Sequence, residues 1–575
     1  MEIKSFCRIL LPCCTIWRDK MKKYFIKFIF TFLILLSISC RVGVTENEGA
    51  VYTDKAPDAS SMGYRYVKTN ASFASQVNLA NYIYIIDSTF DLGGASVSVG
   101  ANSILRFTKN GKIKNGTITF DKTFLDGSVS FEKMSYSGTL LNKTVNLSWF
   151  GPNKTKQDEI NATKKNAAII SEVFDCMGDT LIVDGFYPVS SFIDIKKSIN
   201  LRSPDWNESL CINTYENMYE PTNGFYSTEG KNSIFRFYQY QVGENQYKVI
   251  GSMNMFGIYL KGNPEKFLQA TTYETDDSKL TCGVFLPWGG SLAAVYNCKF
   301  EGFTQGIRAL GGFVEKIQNT TFNACEVGFY TVSTSDFEVF SCKFTNCMPN
   351  YKLTSMPDVS SLRQIGTGFV IEGCGMVNCA NNLFENNFIN LLINEVAIII
   401  NISNNTFRNP VFNDIYVYND YTIVRGPFYF TTGYEEMHQI CIDNVVITEN
   451  SFSRSRNAYG KNFIMFANGF HALYNHGSIE ADRITNLIIA NNTFNDSRAV
   501  VPEDEALYVV WNKKETRSKI TCNNNNYSGT KANYFARLMD GSYGQFTFIN
   551  SANKYPAGCS EGKINNNNSG VIVCK

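Results

Sequence analysis

The chain has 575 residues, with 53 Lys and Arg against 52 Asp and Glu, a formal charge of +1. Phosphate backbones are held by clustered positive charge, so this balance excludes nucleic acid as a default partner. Hydrophobic residues make up 44% and charged residues 18%, which excludes a disordered chain.

The first predicted element is an export signal. From Met21 the chain reads MKKYFIKFIFTFLILLSISC: a Lys-rich start, an apolar stretch from Phe28 to Leu36, then small residues before Cys40. The apolar stretch is too short to span a bilayer comfortably, so cleavage is expected. Residues 1–39 are read as the signal region, with Met21 as the true start, and 40–65 as a lipid anchor and polar tether. Ser37-Ile38-Ser39-Cys40 resembles a relaxed bacterial lipobox, although Leu36 stands one place upstream of the usual Leu. The resemblance implies acylation of Cys40 and a lipoprotein of the outer membrane or cell surface, with the lipid as its membrane contact. Plain secretion is the alternative. Of 17 cysteines, setting aside Cys7, Cys13, Cys14 and Cys40 leaves an odd number with no C-x-x-C pair. That pattern argues for buried thiols over a full disulfide framework or a zinc ribbon.

Next come a β-rich module over 66–150 and a capping helix within 151–178, where Gln157 to Met177 reads as amphipathic. A β-helix with loop insertions is assigned to 179–531, and last coils with a C-terminal cap to 532–575. The assignment rests on an internal repeat. Aromatics reach 14%, Pro is scarce at 14 and Asn is abundant, a mixture that favours short strands and tight turns. The phrase Asn-x-x-Phe recurs with variation at Asn297–Phe300, Asn319–Phe322, Ser341–Phe344, Asn381–Phe384, Asn404–Phe407, Glu449–Phe452, Asn491–Phe494 and Asn524–Tyr527. The aromatic steps are 22, 22, 40, 23, 45, 42 and 33, a unit near 22, with 40, 45 and 42 near twice it. Six residues after the aromatic stand Gly306, Gly328, Asn350, Asn390 and Asn413, the types that most easily take positive φ. One further on stand Ile307, Phe329, Tyr351 and Leu391.

One buried aromatic, an Asn column and a Gly/Asn corner per 22 residues define a parallel β-helix, whose coils stack like residues about 4.8 Å apart. Asn amides at a bend can then bond along the axis. Cys325 and Cys347, one unit apart, are expected as stacked neighbours. Cys298 and Cys342, with Thr320 between them, are not expected to bond. Residues 202–250 break the period as a loop excursion, and 408–448 holds two coils or one coil with a long arm.

The phrases NCKFEGFTQGI, NTTFNACEVGF and NNTFRNPVFNDI resemble the right-handed parallel β-helix repeats of the pectin-lyase-like superfamily. Gln157 to Leu201 resembles the helix-then-first-coil entry of such proteins, which implies that the helix covers the first coil. Residues 82–150 resemble a leading module of surface β-helix proteins of Bacteroidetes. The superfamily includes polysaccharide lyases and glycosidases. A lyase needs a base and a group that neutralises a uronate carboxylate; a hydrolase needs paired carboxylates. The polygalacturonase pattern is absent: the Asp pair, Asp276-Asp277, precedes the main repeat, and His476 sits in Asn-His-Gly.

Two stretches gather chemistry-bearing residues. Residues 469–484 bring together His471, His476, Glu480, Asp482 and Arg483, a base beside a carboxylate-binding Arg, or else an ordinary solvated loop; His471, Asp482 and Arg483 are the catalytic candidates. Residues 416–438 hold Tyr416, Tyr418, Tyr421, Arg425, Tyr434, Glu436 and His438. Aromatics there could stack on sugars with Arg425 meeting acidic groups, or could fill the β-helix interior. Tyr421, Arg425, Tyr434, Glu436 and His438 are the substrate-binding candidates. Asp336 and Glu338 lie between repeat phrases within reach of a groove. No metal site is read, no cofactor is required, and Ca2+ belongs to the lyase alternative alone. The two functional expectations are non-catalytic binding of a polysaccharide or surface glycan and, alternatively, a polysaccharide-active enzyme.

Overall fold

The computed structural model describes residues 53, 55–228, 233–243, 246–249, 251–263, 281–287, 289–332, 334, 336–349, 366–419, 441–442, 444–455, 462–468, 483–484, 486–498, 506–512, 517–529, 532–538, 545–556, 559, 564–565 and 571–575. From about residue 180 the chain winds as a parallel β-helix, each coil placing one strand in each of three sheets. Taking one coil, Ser291–Tyr296 lies in sheet 1, Lys299–Glu301 in sheet 2 and Gln305–Leu310 in sheet 3. The following coil repeats them in parallel register as Phe313–Gln318, Thr321–Asn323 and Val327–Val332.

Sheet 2 carries the repeat aromatic. Its strands are short, and the central residue of each points inward, so Phe300, Phe322, Phe344, Phe384, Phe407 and Phe452 align coil upon coil. The rings form one parallel stack: Phe300 and Phe322 centroids are 5.0 Å apart at 11°, Phe344 and Phe384 4.8 Å at 6°, Phe407 and Phe452 4.8 Å at 8°, and Tyr527 and Tyr555 5.4 Å at 4°. Phe300, Phe322, Phe344, Phe384, Phe407 and Phe452 are all fully buried, where truncation to Ala costs about 3–5 kcal/mol.

This stack corrects the reading of the long steps. Phe344–Phe384, Phe407–Phe452 and Phe452–Phe494 are adjacent rings, so 40, 45 and 42 residues are single coils with extra chain. The interval 408–448 is accordingly one coil, whose residues 420–440 lie outside the described set.

The two residues between sheets 1 and 2 divide their work. The first of each pair (Asn297, Asn319, Ser341, Asn381, Asn404, Glu449, Asn491, Asn524) takes a left-handed conformation, with φ from 49° to 58° wherever it is Asn. The second points inward. From Asn382 on, Asn405, Asn450, Asn492, Asn525 and Asn553 form a continuous amide ladder, each Nδ2 donating to the next Oδ1 at 2.9–3.1 Å. The expected bonding along the axis is therefore present, carried by the second Asn of the phrase. Six residues after the aromatic, Gly306, Gly328, Asn390 and Asn413 do not take positive φ, and Asn350 lies outside the described residues. Gly306 and Gly328 are needed there because a Cβ would stand 2.5 Å from the carbonyl oxygen of the next coil. Cys325 and Cys347 occupy the same interior position on successive coils; the Met348 amide donates to the Cys325 carbonyl at 3.2 Å. Both thiols are free, as are Cys298 and Cys342.

Residues 63–140 also run as parallel coils: Gly63–Tyr66, Tyr82–Ile86, Ile104–Phe107 and Phe124–Gly127 pair in sequence, and one hydrophobic core continues from Val67 to Ile572. The expected single helix is two, Lys156–Asn161 and Asn166–Cys176. Buried Glu159 ties their junction to the first coil. It accepts from Asn153 Nδ2 at 2.7 Å, Asn166 N at 3.0 Å and Ser190 Oγ at 2.7 Å. The helices do not close the end of the rod, because Thr144–Asn146 pairs with Thr180–Ile182 past them.

The excursion at 202–250 is two insertions around a regular coil. Residues 203–223 run lengthwise along the first corner: Trp206 Nε1 donates to Asn297 Oδ1 at 2.9 Å, Ile212 N to Asn319 Oδ1 at 2.9 Å, and Tyr215 Oη to Thr406 Oγ1 at 3.1 Å. An antiparallel hairpin, Gln239–Gly243 with Gln246–Val249, supplies the other. Among the described residues no helix is long and apolar enough to cross a membrane.

Candidate functional site

Extra chain is not spread evenly around the coil. From Gly257 to Asn525 the corner from sheet 1 to sheet 2 stays at two residues. The links from sheet 2 to sheet 3 contain residues 264–280, 350–365, 456–461 and 499–505. The links from sheet 3 to sheet 1 contain 420–440 and 469–482. All six segments lie outside the described residues. Both edges of sheet 3 therefore receive the long connections, and its outer face is where loop-borne and strand-borne groups would meet.

Strand alternation selects the residues on that face. Ile307, Phe329, Phe369, Leu391 and Ile415 belong to the interior core. Arg308, Tyr330, Val370, Leu392, Tyr416, Met465 and Val509 align in a column on the other side. Beside them run Leu310, Val332, Glu372 and Asn394. Tyr330, Val370, Leu392, Tyr416, Met465 and Val509 form a second apolar cluster, separate from the core. Although they point away from the helix interior they are buried, with Tyr330 and Tyr416 each 2% exposed.

The polar groups of this face converge over four successive coils. Tyr330 Oη donates to Glu372 Oε2 at 3.2 Å, and Asn394 Nδ2 donates to Glu372 Oε1 at 3.3 Å. Both carboxylate oxygens thus accept from neutral donors, which orients the group. The Arg308 guanidinium lies 5.8 Å from the Phe285 ring centre and 5.9 Å from that of Tyr330, within the range of cation–π attraction. Two coils separate Arg308 from Glu372, about 10 Å at the strand spacing. Arg308, Glu372 and Asn394 are themselves buried, at 5%, 1% and 0% exposed, so these groups shape the face from beneath its surface.

An interior cluster lies at the corner between sheets 2 and 3. Asp414 accepts from Asn390 Nδ2 at 2.9 Å and faces Arg454 Nη2 at 3.4 Å. Desolvation pushes its carboxyl up to about 6, with Arg454, Asn390 and Arg498 opposing the rise. Both partners of this ion pair have fully buried side chains, so it braces the corner and is not accessible to a polymer.

Of the residues singled out from sequence, Tyr421, Arg425, Tyr434, Glu436, His438, His471 and Asp482 lie outside the described residues, as does Cys40. Arg483 is placed by its backbone alone, in the strand Arg483–Ile484 paired with Cys441–Ile442. Tyr416 is on the outer face of sheet 3 and does not fill the interior. Glu338 points outward on sheet 1, where it pairs with Lys316 at 3.3 Å, and Asp336 Oδ1 accepts from Met376 N at 2.9 Å. Among the described residues no group of three or more His, Cys, Asp or Glu side chains could hold a metal ion. Arg308, Tyr330, Glu372 and Asn394 escaped the sequence reading. A signal was available: Arg308 and Tyr330 each stand eight residues after a repeat aromatic, one beyond the apolar Ile307 and Phe329.

The chain is a parallel β-helix protein. No protein-family model matches its sequence, and no curated protein does. Solved structures with the same architecture include DFA-IIIase from Arthrobacter chlorophenolicus A6 without its lid (9% identity, covering 75% of this chain and 98% of that one, TM-score 0.41). Two others are the Dettilon tailspike protein (11%, 76% and 69%, 0.35) and the catalytic unit of a thermostable GH87 alpha-1,3-glucanase from Streptomyces thermodiastaticus strain HF3-3 (10%, 75% and 67%, 0.33). The likeness is one of fold alone.

Proposed function

We propose that this protein is exported, anchored through a lipid on Cys40, and binds a polysaccharide at the cell surface through the outer face of sheet 3. The observation that carries the reading is the convergence of Arg308, Tyr330, Glu372 and Asn394 on sheet 3, both of whose edges receive long connections from Gly257 on. Sugars offer hydroxyls to a carboxylate and an amide, and apolar ring faces to tyrosine; because Tyr330, Glu372 and Asn394 are buried, such contact requires this face to open. The near-neutral chain charge removes any general pull on polyanions such as nucleic acid. Anchoring rests on the Lys-rich, apolar and small-residue order from Met21 to Cys40.

The alternative is a lyase or glycosidase, favoured by the presence of Glu372 and Arg308 on one face; Ca2+ enters only with the lyase. One experiment separates the two. The purified chain is screened against a glycan array and assayed for release of reducing or unsaturated ends. Binding without release supports the binding reading, and Glu372→Gln should then weaken binding roughly tenfold. Product release that Glu372→Gln abolishes while binding persists would establish the enzyme instead. For the anchor, labelled fatty acid should be incorporated by the native chain and not by Cys40→Ala.

A further inference from the structure

A different face holds a second constellation. On the outside of sheet 2, register places Phe186, Gly224, Tyr259 and Lys299 in one column and Pro188, Tyr226, Lys261 and Glu301 in the next. Gly224 leaves a slot across which Phe186 and Tyr259, two coils apart, close to 4.9 Å between ring centres at 18°. A Cβ on Gly224 would stand 1.9 Å from the Tyr259 carbonyl oxygen, so the glycine is what allows the approach. Tyr226 adds a third ring, 5.1 Å from Phe186. All three are half-buried, whereas Phe300, Phe322, Phe344, Phe384, Phe407 and Phe452 of the interior stack have no exposure. Half-exposed, mutually stacked rings on the outside of a sheet present flat apolar surface to solvent.

Polar groups border the platform directly. Lys299 Nζ lies 4.9 Å over the Tyr259 ring and 3.2 Å from Glu301 Oε2; Lys261 Nζ is 3.7 Å from Glu301 Oε1. Further along the axis Asn323 Oδ1 accepts from Thr345 Oγ1 at 3.0 Å and from Asn346 Nδ2 at 2.9 Å. Both lysines are paired with Glu301, so the charges beside the platform are held in ion pairs and the face offers donors and acceptors together. A nucleic acid or other polyanion would find two lysines already paired to Glu301, not the cluster of free positive charge that phosphates need. A protein partner would need an apolar interface core wider than three rings. A neutral polyhydroxy chain needs a ring platform for its C–H face, then donors and acceptors for its hydroxyls. The strand repeat of about 4.8 Å is close to the length of one sugar unit in an extended polymer.

We propose that the outer face of sheet 2 is a second carbohydrate site, taking a neutral polysaccharide along the rod axis with one sugar ring stacked on Phe186 and Tyr259. It lies on a different sheet from the Arg308–Glu372 face and does not depend on it. The test measures affinity of the purified chain for a panel of neutral and acidic polysaccharides by affinity electrophoresis. Tyr259→Ala and Phe186→Leu, with unchanged melting curves as the check on folding, should each weaken binding to a neutral polymer roughly tenfold. Should either variant melt early, Lys299→Ala at the surface should still weaken binding severalfold. Glu372→Gln distinguishes the two faces: loss there, with Tyr259→Ala unaffected, places binding on sheet 3 alone and overturns the second site. Binding to polyanions only, or to no neutral polymer in the panel, overturns it as well.

Discussion

Replacing Asn450 with Ala tests which residue of the repeated phrase holds the coils together. Asn450 sits inside the amide ladder and is 2% exposed. Its Nδ2 donates to the Ile402 carbonyl at 2.9 Å and to Asn492 Oδ1 at 3.0 Å. Its Oδ1 accepts from the Asn405 backbone amide at 2.8 Å and from Asn405 Nδ2 at 3.1 Å. Alanine deprives two buried backbone groups, the Asn405 N–H and the Ile402 C=O, of this partner. At about 1–3 kcal/mol for each buried group left unmade, the expected loss is about 4 kcal/mol. Its neighbour in the phrase gives the control. Asn404 is exposed and left-handed at φ 55°, so Asn404→Gly should change stability by no more than about 0.5 kcal/mol. Guanidinium unfolding followed by tryptophan fluorescence reads both. Equal midpoints for the two variants would show that the interior amide is not what joins the coils, and the ladder argument would fail.

The thiols and the strained corner give two further tests. Burial pushes Cys298, Cys325 and Cys342 from 9.0 up to about 12. Above pH 9 the unfolded chain therefore loses protons that the folded chain keeps. The sign of the linkage makes stability fall as pH rises from about 9 towards 12, with no contribution from these groups below that window. Guanidinium midpoints at pH 7 and 10 measure it, and these thiols should resist disulfide reagents until the chain unfolds; fast labelling of the native protein would contradict their burial. Glu449 occupies a left-handed position at φ 57°, where Asn is better suited. Glu449→Asn should stabilise by about 0.5 kcal/mol, and a lowered unfolding midpoint would count against strain there.

What the sequence made legible follows from which positions stack. Phe300, Phe322 and Phe344 repeat because each ring must lie on the next, and that requirement writes a period into the chain. The length of a coil carries no such requirement. Phe384 follows Phe344 by one coil after 40 residues, since extra chain that leaves and returns at a corner does not disturb the column. Residues 63–140 escaped as coils because their interior columns hold Tyr84, Leu105 and Leu125, with no Asn-x-x-Phe to announce them. The candidate site was harder still. Arg308 and Glu372 lie on one face only after two coils of different length are superimposed, and the second of those coils carries residues 350–365 as extra chain.

The same physics explains why function should gather on sheet 3. The corner from sheet 1 to sheet 2 has a left-handed first residue and an inward second one, and both must coincide coil after coil for the amide ladder to close. One more residue there would move Asn450 off Asn492 and cost the two bonds joining them. Among the described residues the other corners show no amide ladder of comparable length, the Asn390–Asp414–Arg454 contacts spanning three coils, and a longer link is limited mainly by loop-closure entropy, which rises by only about 0.6 kcal/mol per doubling of length. From Gly257 on, insertions therefore fall where they are least costly, at the two edges of sheet 3. An insertion of two residues between Ser403 and Thr406 should then be far more damaging than the same two residues added between Ser455 and Asn462. Thermal melting of the two variants decides it: equal losses would mean that the interior ladder does not control where this rod can grow arms.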